Sequence, residues 1–107
     1  VSLAGPYASS GLSYFNTMEY QMRHMDRLFG ELQRRGARVF EVTERANTEF
    51  RERMSAKLGK TVFRQGDCAR SRSYYFSPSG ETLVRPASTN QTNRENDNFP
   101  LTDYSFN

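Results

Sequence analysis

The chain has 107 residues, a hydrophobic content of 36% and a formal net charge of +3. This length allows one small domain, and a hydrophobic share below the usual ~45–50% predicts a lean core. Its single cysteine excludes an internal disulfide and fits a reducing compartment, so we expect a cytoplasmic location. No apolar run approaches the ~18 residues of a membrane span, and no signal peptide is visible. The mild basic excess does not by itself predict a nucleic-acid partner.

A long amphipathic helix is the strongest prediction from the sequence. A short strand over residues 1–4 ends at Gly5-Pro6, and Ser13 is the best N-cap for a helix over residues 14–35. Gly36 follows as the C-terminal stop. The apolar residues of this helix are spaced 3-4-3-4-3 and form a narrow stripe, which we call the seam: Phe15, Met18, Met22, Met25, Phe29 and Leu32. We interpret the seam as core packing, with a pliable, methionine-rich partner-binding surface as the alternative.

The middle of the chain predicts a strand, a second helix and a β-hairpin. Alternation over residues 38–42 is typical of a strand, and Thr43 can cap a helix over residues 44–58 that Gly59 closes. Residues 61–63 are expected to be extended, and residues 64–72 to form a polar loop. Residues 73–84 predict a hairpin around the four-residue turn 77–80.

The C-terminal region has two contrasting compositions. Residues 87–98 contain almost only polar and charged side chains, so we expect an irregular, mobile tail there. Residues 99–106 restore apolar side chains, and we expect this segment to pack back onto the rest of the protein.

Isolated reactive groups offer little support for catalysis or metal binding. His24 is the only histidine and lies off the seam, so a solvated side chain is favoured over a metal ligand. Cys68 has arginine neighbours that could lower its thiol pKa, but His24 is the only imidazole available as a base. Arginines beside Tyr74 and Tyr75 could bind single-stranded nucleic acid. A packed hairpin with solvated arginines, including Arg85, is the favoured interpretation.

The order of these features resembles the C-terminal part of the FAD-dependent, NADPH-using monooxygenases of the Baeyer–Villiger type. The matching features are Gly5-Pro6, the small-residue loop that follows, the block Met18-Glu19-Tyr20-Gln21, and then Arg35-Gly36. A strand, a helix with Phe50, and the run Thr61-Val62-Phe63, Cys68, Ser73-Tyr74-Tyr75 and Arg85-Pro86 continue the order. The family usually has tryptophan at two of these places, where this chain has Tyr74 and Arg85.

The resemblance implies that this chain is the C-terminal segment of a larger two-dinucleotide-binding α/β flavoprotein. Residues 1–36 would be the last strand and closing helix of the FAD domain, residues 37–86 a cap, and residues 87–107 a tail. Upstream domains would bind FAD and NADPH, and the full-length enzyme would insert oxygen from a flavin peroxide into a carbonyl or heteroatom substrate. The implied cofactor contacts are Gly5, Pro6 and Ser10, and the implied substrate-pocket residues are Ser9, Gly11 and Leu12.

Considered alone, the chain is expected to be an α+β fragment that is inactive and binds neither cofactor. The alternative function is a non-enzymatic interaction module that binds a protein or nucleic-acid partner through its methionine-rich helix or its arginine–tyrosine hairpin. We also expect the isolated chain to self-associate through the seam as a two-fold dimer, for which the 3-4 spacing suits antiparallel helices.

Overall fold

The fold is α+β, as predicted. Three α-helices and a two-stranded antiparallel sheet lie in the part of the chain that the computed structural model describes, residues 14–70, 76–82 and 84–107. The predicted strand over residues 1–4, the proposed N-cap Ser13, residues 71–72 of the predicted loop, and residues 73–75 and 83 of the predicted hairpin lie outside these residues.

Helix α1, Tyr14–Arg35, has the predicted bounds. It ends where Gly36 adopts a left-handed conformation with φ of 63°. The N–H of Ala37 then donates to the carbonyl of Leu32 over 3.0 Å, which satisfies one of the last free carbonyls of the helix. Glycine therefore ends α1 by taking a backbone conformation that a side chain would strain.

Helix α2, Glu44–Leu58, also confirms the prediction. The Thr43 side chain accepts a hydrogen bond from the backbone N–H of Ala46 over 3.2 Å, so the first turn has its N-cap. The fourfold spacing of its apolar residues places Ala46, Met54 and Leu58 on the buried side.

The sheet joins distant parts of the chain. Strand β1, Phe40–Val42, pairs antiparallel with strand β2, Tyr104–Phe106, with Phe40 opposite Phe106 and Val42 opposite Tyr104. The prediction that residues 99–106 pack back onto the protein is therefore confirmed.

Residues 61–70 differ from the predicted extended piece and loop. Two short 3-10 helices, Val62–Arg64 and Gly66–Arg70, occupy most of this stretch. The N–H of Arg64 donates to the carbonyl of Thr61 over 3.1 Å. The stretch therefore satisfies its backbone locally, and a run of β-branched and aromatic residues was a misleading signal.

The turn of the predicted hairpin lies within the described residues. Phe76 and Thr82 form an antiparallel bridge, and the N–H of Gly80 donates to the carbonyl of Ser77 over 2.8 Å. Gly80 has φ of 82°, which explains why the turn ends in glycine.

The prediction of an irregular tail is wrong for residues 89–98, because they form helix α3, Thr89–Asn98. The Ser88 hydroxyl accepts a hydrogen bond from the N–H of Gln91 over 3.3 Å. Arg27 of α1 donates to the backbone carbonyls of Asp97, at 2.6 Å, and Phe99, at 3.1 Å. Both ends of a wholly polar segment thus have partners, and α3 packs against α1.

The core is lean, in agreement with the composition. Its buried apolar members among the described residues are Leu28, Ala46, Met54 and Leu58. Polar side chains are buried as well: His24, Thr82, Thr92, Asn93 and Asn96. A series of aromatic contacts, with ring centroids 5.5–6.2 Å apart, links the helices and the sheet through Phe29, Phe40, Tyr104, His24, Phe99 and Phe50. Aromatic packing therefore supplements a small aliphatic core.

Candidate functional site

The seam of α1 is an exposed apolar surface. Phe15, Met22 and Phe29 are 79%, 57% and 51% exposed. These three side chains are seven residues apart, so they project from one side of the helix. Met18, Met25 and Leu32, the other seam residues, are partly buried beside them. The interpretation of the seam as core packing is therefore wrong for its outer half.

The seam is exposed because α1 buries a different side. His24 and Leu28 are 8% and 1% exposed, and half-buried Arg27 donates to carbonyls at the C-terminal end of α3. These hydrogen bonds and aromatic contacts fix the rotation of α1 about its axis. Helical periodicity located the apolar stripe but did not show which side the remaining chain would cover.

The two flanks of the seam differ in charge. Glu19 and Asp26 are exposed on one flank, seven residues apart. The other flank contains Gln21, which is partly buried, Leu28, and Arg35 at its C-terminal end. A partner that covers the seam therefore meets carboxylates on one side, whereas the other side is occupied in part by this chain's own packing, with Leu28 1% exposed.

A salt-bridge cluster stiffens the C-terminal end of α1. Glu31 accepts hydrogen bonds from Arg34 and Arg35, with a shortest distance of 2.6 Å to each. Hydrogen bonds from Arg34 and then Arg35 lower the pKa of the Glu31 carboxyl to about 2. The Arg35 guanidinium also lies 4.7 Å from the centre of the Phe106 ring, which connects α1 to the sheet.

His24 is not the solvated histidine that the sequence predicts. Its Nε2 lies 2.8 Å from the Tyr104 hydroxyl, and its ring packs 5.5 Å from those of Phe99 and Tyr104. Burial, and then the nearby positive charge of Arg27, lower the pKa of the imidazole. Burial, and then the Asp103 carboxylate, raise the pKa of Tyr104. The imidazole therefore links α1 to β2 as a neutral group.

Arg85 is also not the solvated arginine of the predicted hairpin. Its guanidinium donates to the Glu95 carboxylate over 2.6 Å and to the Asn96 amide oxygen over 3.2 Å. The guanidinium carbon lies 5.7 Å and 5.9 Å from the ring centres of Phe50 and Phe99. With a side chain 8% exposed, Arg85 is occupied in holding α3.

The residues implied by the family resemblance lie outside the described residues: Gly5, Pro6, Ser9, Ser10, Gly11 and Leu12. Tyr74 and Tyr75 of the arginine–tyrosine hairpin lie outside them too. Cys68 falls in the 3-10 helix Gly66–Arg70. Within residues 14–70, 76–82 and 84–107, no group of three or more His, Cys, Asp or Glu side chains is arranged to hold a metal ion.

Comparison with known proteins gives no relative. No protein-family model matches the chain, and searches of the curated proteins and of the solved structures also return no match. No helix in the described part of the chain combines the length and the apolar character needed to cross a membrane.

Proposed function

We propose that this chain is a non-enzymatic interaction module that binds a protein partner through the seam of α1. The observation that carries the proposal is the exposure of Phe15, Met22 and Phe29 along one line of the helix. With about 200 Å² for each fully exposed side chain, these three present roughly 350–400 Å² of contiguous apolar surface. Patches of this size on soluble proteins are often functional.

The composition of the seam suits a partner helix. Methionine side chains are unbranched and polarizable, so Met18, Met22 and Met25 can adapt to the shape of an apposed surface. Phenylalanines at both ends, Phe15 and Phe29, can act as anchors. The stripe runs along a helix with a stiffened C-terminal end, which lowers the entropy cost of ordering the surface on binding.

Photo-methionine crosslinking tests this proposal, because the four methionines divide into two groups. Met18, Met22 and Met25 lie on the seam, whereas Met54 is fully buried in α2 and serves as an internal control. In cells that express the labelled chain, we expect intermolecular crosslinks from the seam methionines and only intrachain crosslinks from Met54.

A variant and a matched control sharpen the result. Phe15→Glu should abolish the seam crosslinks, and Val62→Glu should retain them, because Val62 is 62% exposed in a different element. Seam methionines that form no intermolecular crosslinks, or crosslinks that survive Phe15→Glu unchanged, would contradict a binding role for the seam.

A second candidate is the flavoprotein function that the sequence resemblance implies. In this proposal the chain is the C-terminal segment of an FAD- and NADPH-dependent monooxygenase that acts on a carbonyl or heteroatom substrate. The succession α1, β1, α2 over Tyr14–Arg35, Phe40–Val42 and Glu44–Leu58 fits the order of elements on which the resemblance depends. Visible absorbance of a bound flavin in the purified full-length protein would support this candidate, and a colourless full-length protein would count against it.

A further inference from the structure

We propose that an ordered water molecule is bound between α3 and the segment that precedes it, where the side chains of Arg85, Thr92 and Asn96 hold it. This inference is independent of the seam and concerns how a wholly polar helix stays in place. Three features of the described residues carry it: the burial of these side chains, their unpaired polar atoms, and the charge balance around them.

The buried side of α3 is polar. Its buried residues are Thr92, Asn93 and Asn96. Thr92 and Asn96 are four residues apart, so their side chains lie on the same side of the helix, one turn apart. Arg85 packs against this side, because its guanidinium donates to the Asn96 amide oxygen over 3.2 Å. The Arg85 side chain is itself almost fully buried, which removes the whole contact from bulk solvent.

Three polar atoms at this contact have no hydrogen-bond partner within the protein: Arg85 Nε, Thr92 Oγ1 and Asn96 Nδ2. Two of them, Nε and Nδ2, belong to the groups that the 3.2 Å hydrogen bond joins. That bond also sets the orientation of the Asn96 amide, because the oxygen must be the atom that faces the guanidinium. Buried polar atoms are costly to leave unpaired and in native proteins almost always have a partner, often an ordered water.

A water molecule matches these atoms in number and in reach. A buried water typically makes about three hydrogen bonds. The N–H groups of Arg85 Nε and Asn96 Nδ2 can donate to the water oxygen, and the Thr92 hydroxyl can accept one of its hydrogens. Side chains four residues apart on a helix have Cβ atoms about 5–6 Å apart. One water spans a similar distance with two hydrogen bonds of about 2.8 Å each.

The charge balance of the site favours water over an anion. Two N–H donors beside a hydroxyl could also bind an anion, and Arg85 supplies a positive charge. The Glu95 carboxylate, however, already accepts a hydrogen bond from this guanidinium over 2.6 Å. Because the pair is neutral as a whole, burial of a second anion beside Glu95 would be unfavourable. A neutral molecule that both donates and accepts hydrogen bonds is therefore the expected ligand.

Water–protein NMR on the unsubstituted 107-residue chain tests the site directly. We expect dipolar cross-peaks from water to the Nε–H of Arg85 and to the side-chain amide protons of Asn96. A long-lived water gives peaks of opposite sign in laboratory-frame and rotating-frame experiments, whereas proton exchange gives peaks of the same sign. Dipolar peaks that are missing from either group, or replaced by exchange peaks, overturn the inference.

An isosteric substitution gives a second test whose sign is decisive. Thr92→Val keeps the branched shape and removes the hydroxyl. With water bound, the variant leaves that water short of a partner, so the urea midpoint should fall and the dipolar peaks should weaken. With a dry hydroxyl, valine removes an unpaired polar atom and the midpoint should rise. A midpoint that rises or stays unchanged overturns the inference.

Two controls complete the experiment. Thr48 is exposed in α2 and threonine and valine have similar helix propensities, so Thr48→Val should leave the midpoint nearly unchanged. Thr92→Ser retains the hydroxyl and should retain the dipolar peaks. Replacing chloride in the buffer by a large organic anion at equal ionic strength should preserve the midpoint difference between Thr92→Val and the unsubstituted chain. A difference that disappears without chloride identifies a bound anion and overturns the water site.

Discussion

Replacing Arg85 by methionine tests how a wholly polar helix is held in place. Arg85 and Glu95 have side chains 8% and 22% exposed, and their 2.6 Å hydrogen bond joins α3 to the segment that precedes it. Methionine keeps an unbranched apolar side chain at this position but removes the guanidinium that lies near the rings of Phe50 and Phe99. The Glu95 carboxylate then remains partly buried without its partner.

The expected loss of stability is about 3 kcal/mol. Hydrogen bonds to charged groups contribute ~1.5–3 kcal/mol, and removing one partner of a fully buried pair costs about 3–5 kcal/mol. Because Glu95 retains some access to water, leaving its carboxylate unpaired should cost less than the about 3–5 kcal/mol of a fully buried pair. The rings of Phe50 and Phe99 lie near the ~6 Å limit of cation–π contact, so their loss adds about 0.5–1 kcal/mol. The double variant Arg85→Met/Glu95→Gln should recover about half of the loss, because no buried charge is left unpaired.

Urea unfolding followed by circular dichroism measures this loss. At a typical slope of ~1–3 kcal/mol per molar urea, the Arg85→Met midpoint should fall by about 1–3 M. Arg34→Met is the control, since that side chain is 68% exposed and pairs within α1, and it should leave the unfolding midpoint nearly unchanged because exposed ion pairs contribute little. An Arg85→Met midpoint that matches the Arg34→Met midpoint, or a double variant less stable than Arg85→Met, would refute the reasoning.

Two further predictions concern His24 and the N-cap of α3. The pKa of His24 is lowered in the folded state from 6.5, so the unfolded chain takes up the proton first as the pH falls. The contribution of His24 to the free energy of unfolding should therefore be constant above about pH 6.5 and decrease below it. When urea unfolding is compared at about pH 8 and pH 5, the His24→Gln variant should lack this part of the pH dependence. Ser88→Ala removes the side-chain acceptor for the N–H of Gln91 and should lower the free energy of unfolding by about 1 kcal/mol. Relative to the unsubstituted chain, amide exchange should become faster in α3 and change less in α2. Unchanged exchange in α3 would show that the cap contributes nothing.

The first two helices could be predicted because their signals are local. Thr43 caps α2, Gly36 ends α1, and each apolar repeat matches the helical period. These features depend on neighbours within a few residues, so the sequence contains nearly all the information needed to place them. The return of residues 99–106 to the sheet was predictable for a different reason, since an apolar segment after a polar one gains by packing back.

Helix α3 was missed because composition was weighed above capping. Ser88-Thr89-Asn90-Gln91 has the serine and glutamine spacing of a capping box, a local sign of a helix start. Its other support comes from Arg27, 70 residues away from Asp97 in sequence, and from Arg85 beneath it. No pattern within the segment could reveal those partners, and a helix without an apolar face cannot be recognised from periodicity.

The burial of α1 shows why apolar periodicity located a surface but assigned it the wrong role. A helix turns its apolar stripe inward only when the remaining chain can cover it, and this chain instead places polar α3 against the side bearing His24 and Arg27. Phe15 and Met22 are 79% and 57% exposed, so each forgoes part of the about 1.5–3 kcal/mol that full burial of such a side chain contributes. The fold secures the side of α1 that bears His24 and Leu28, and the outer half of the seam, on which the proposed interaction function rests, stays exposed.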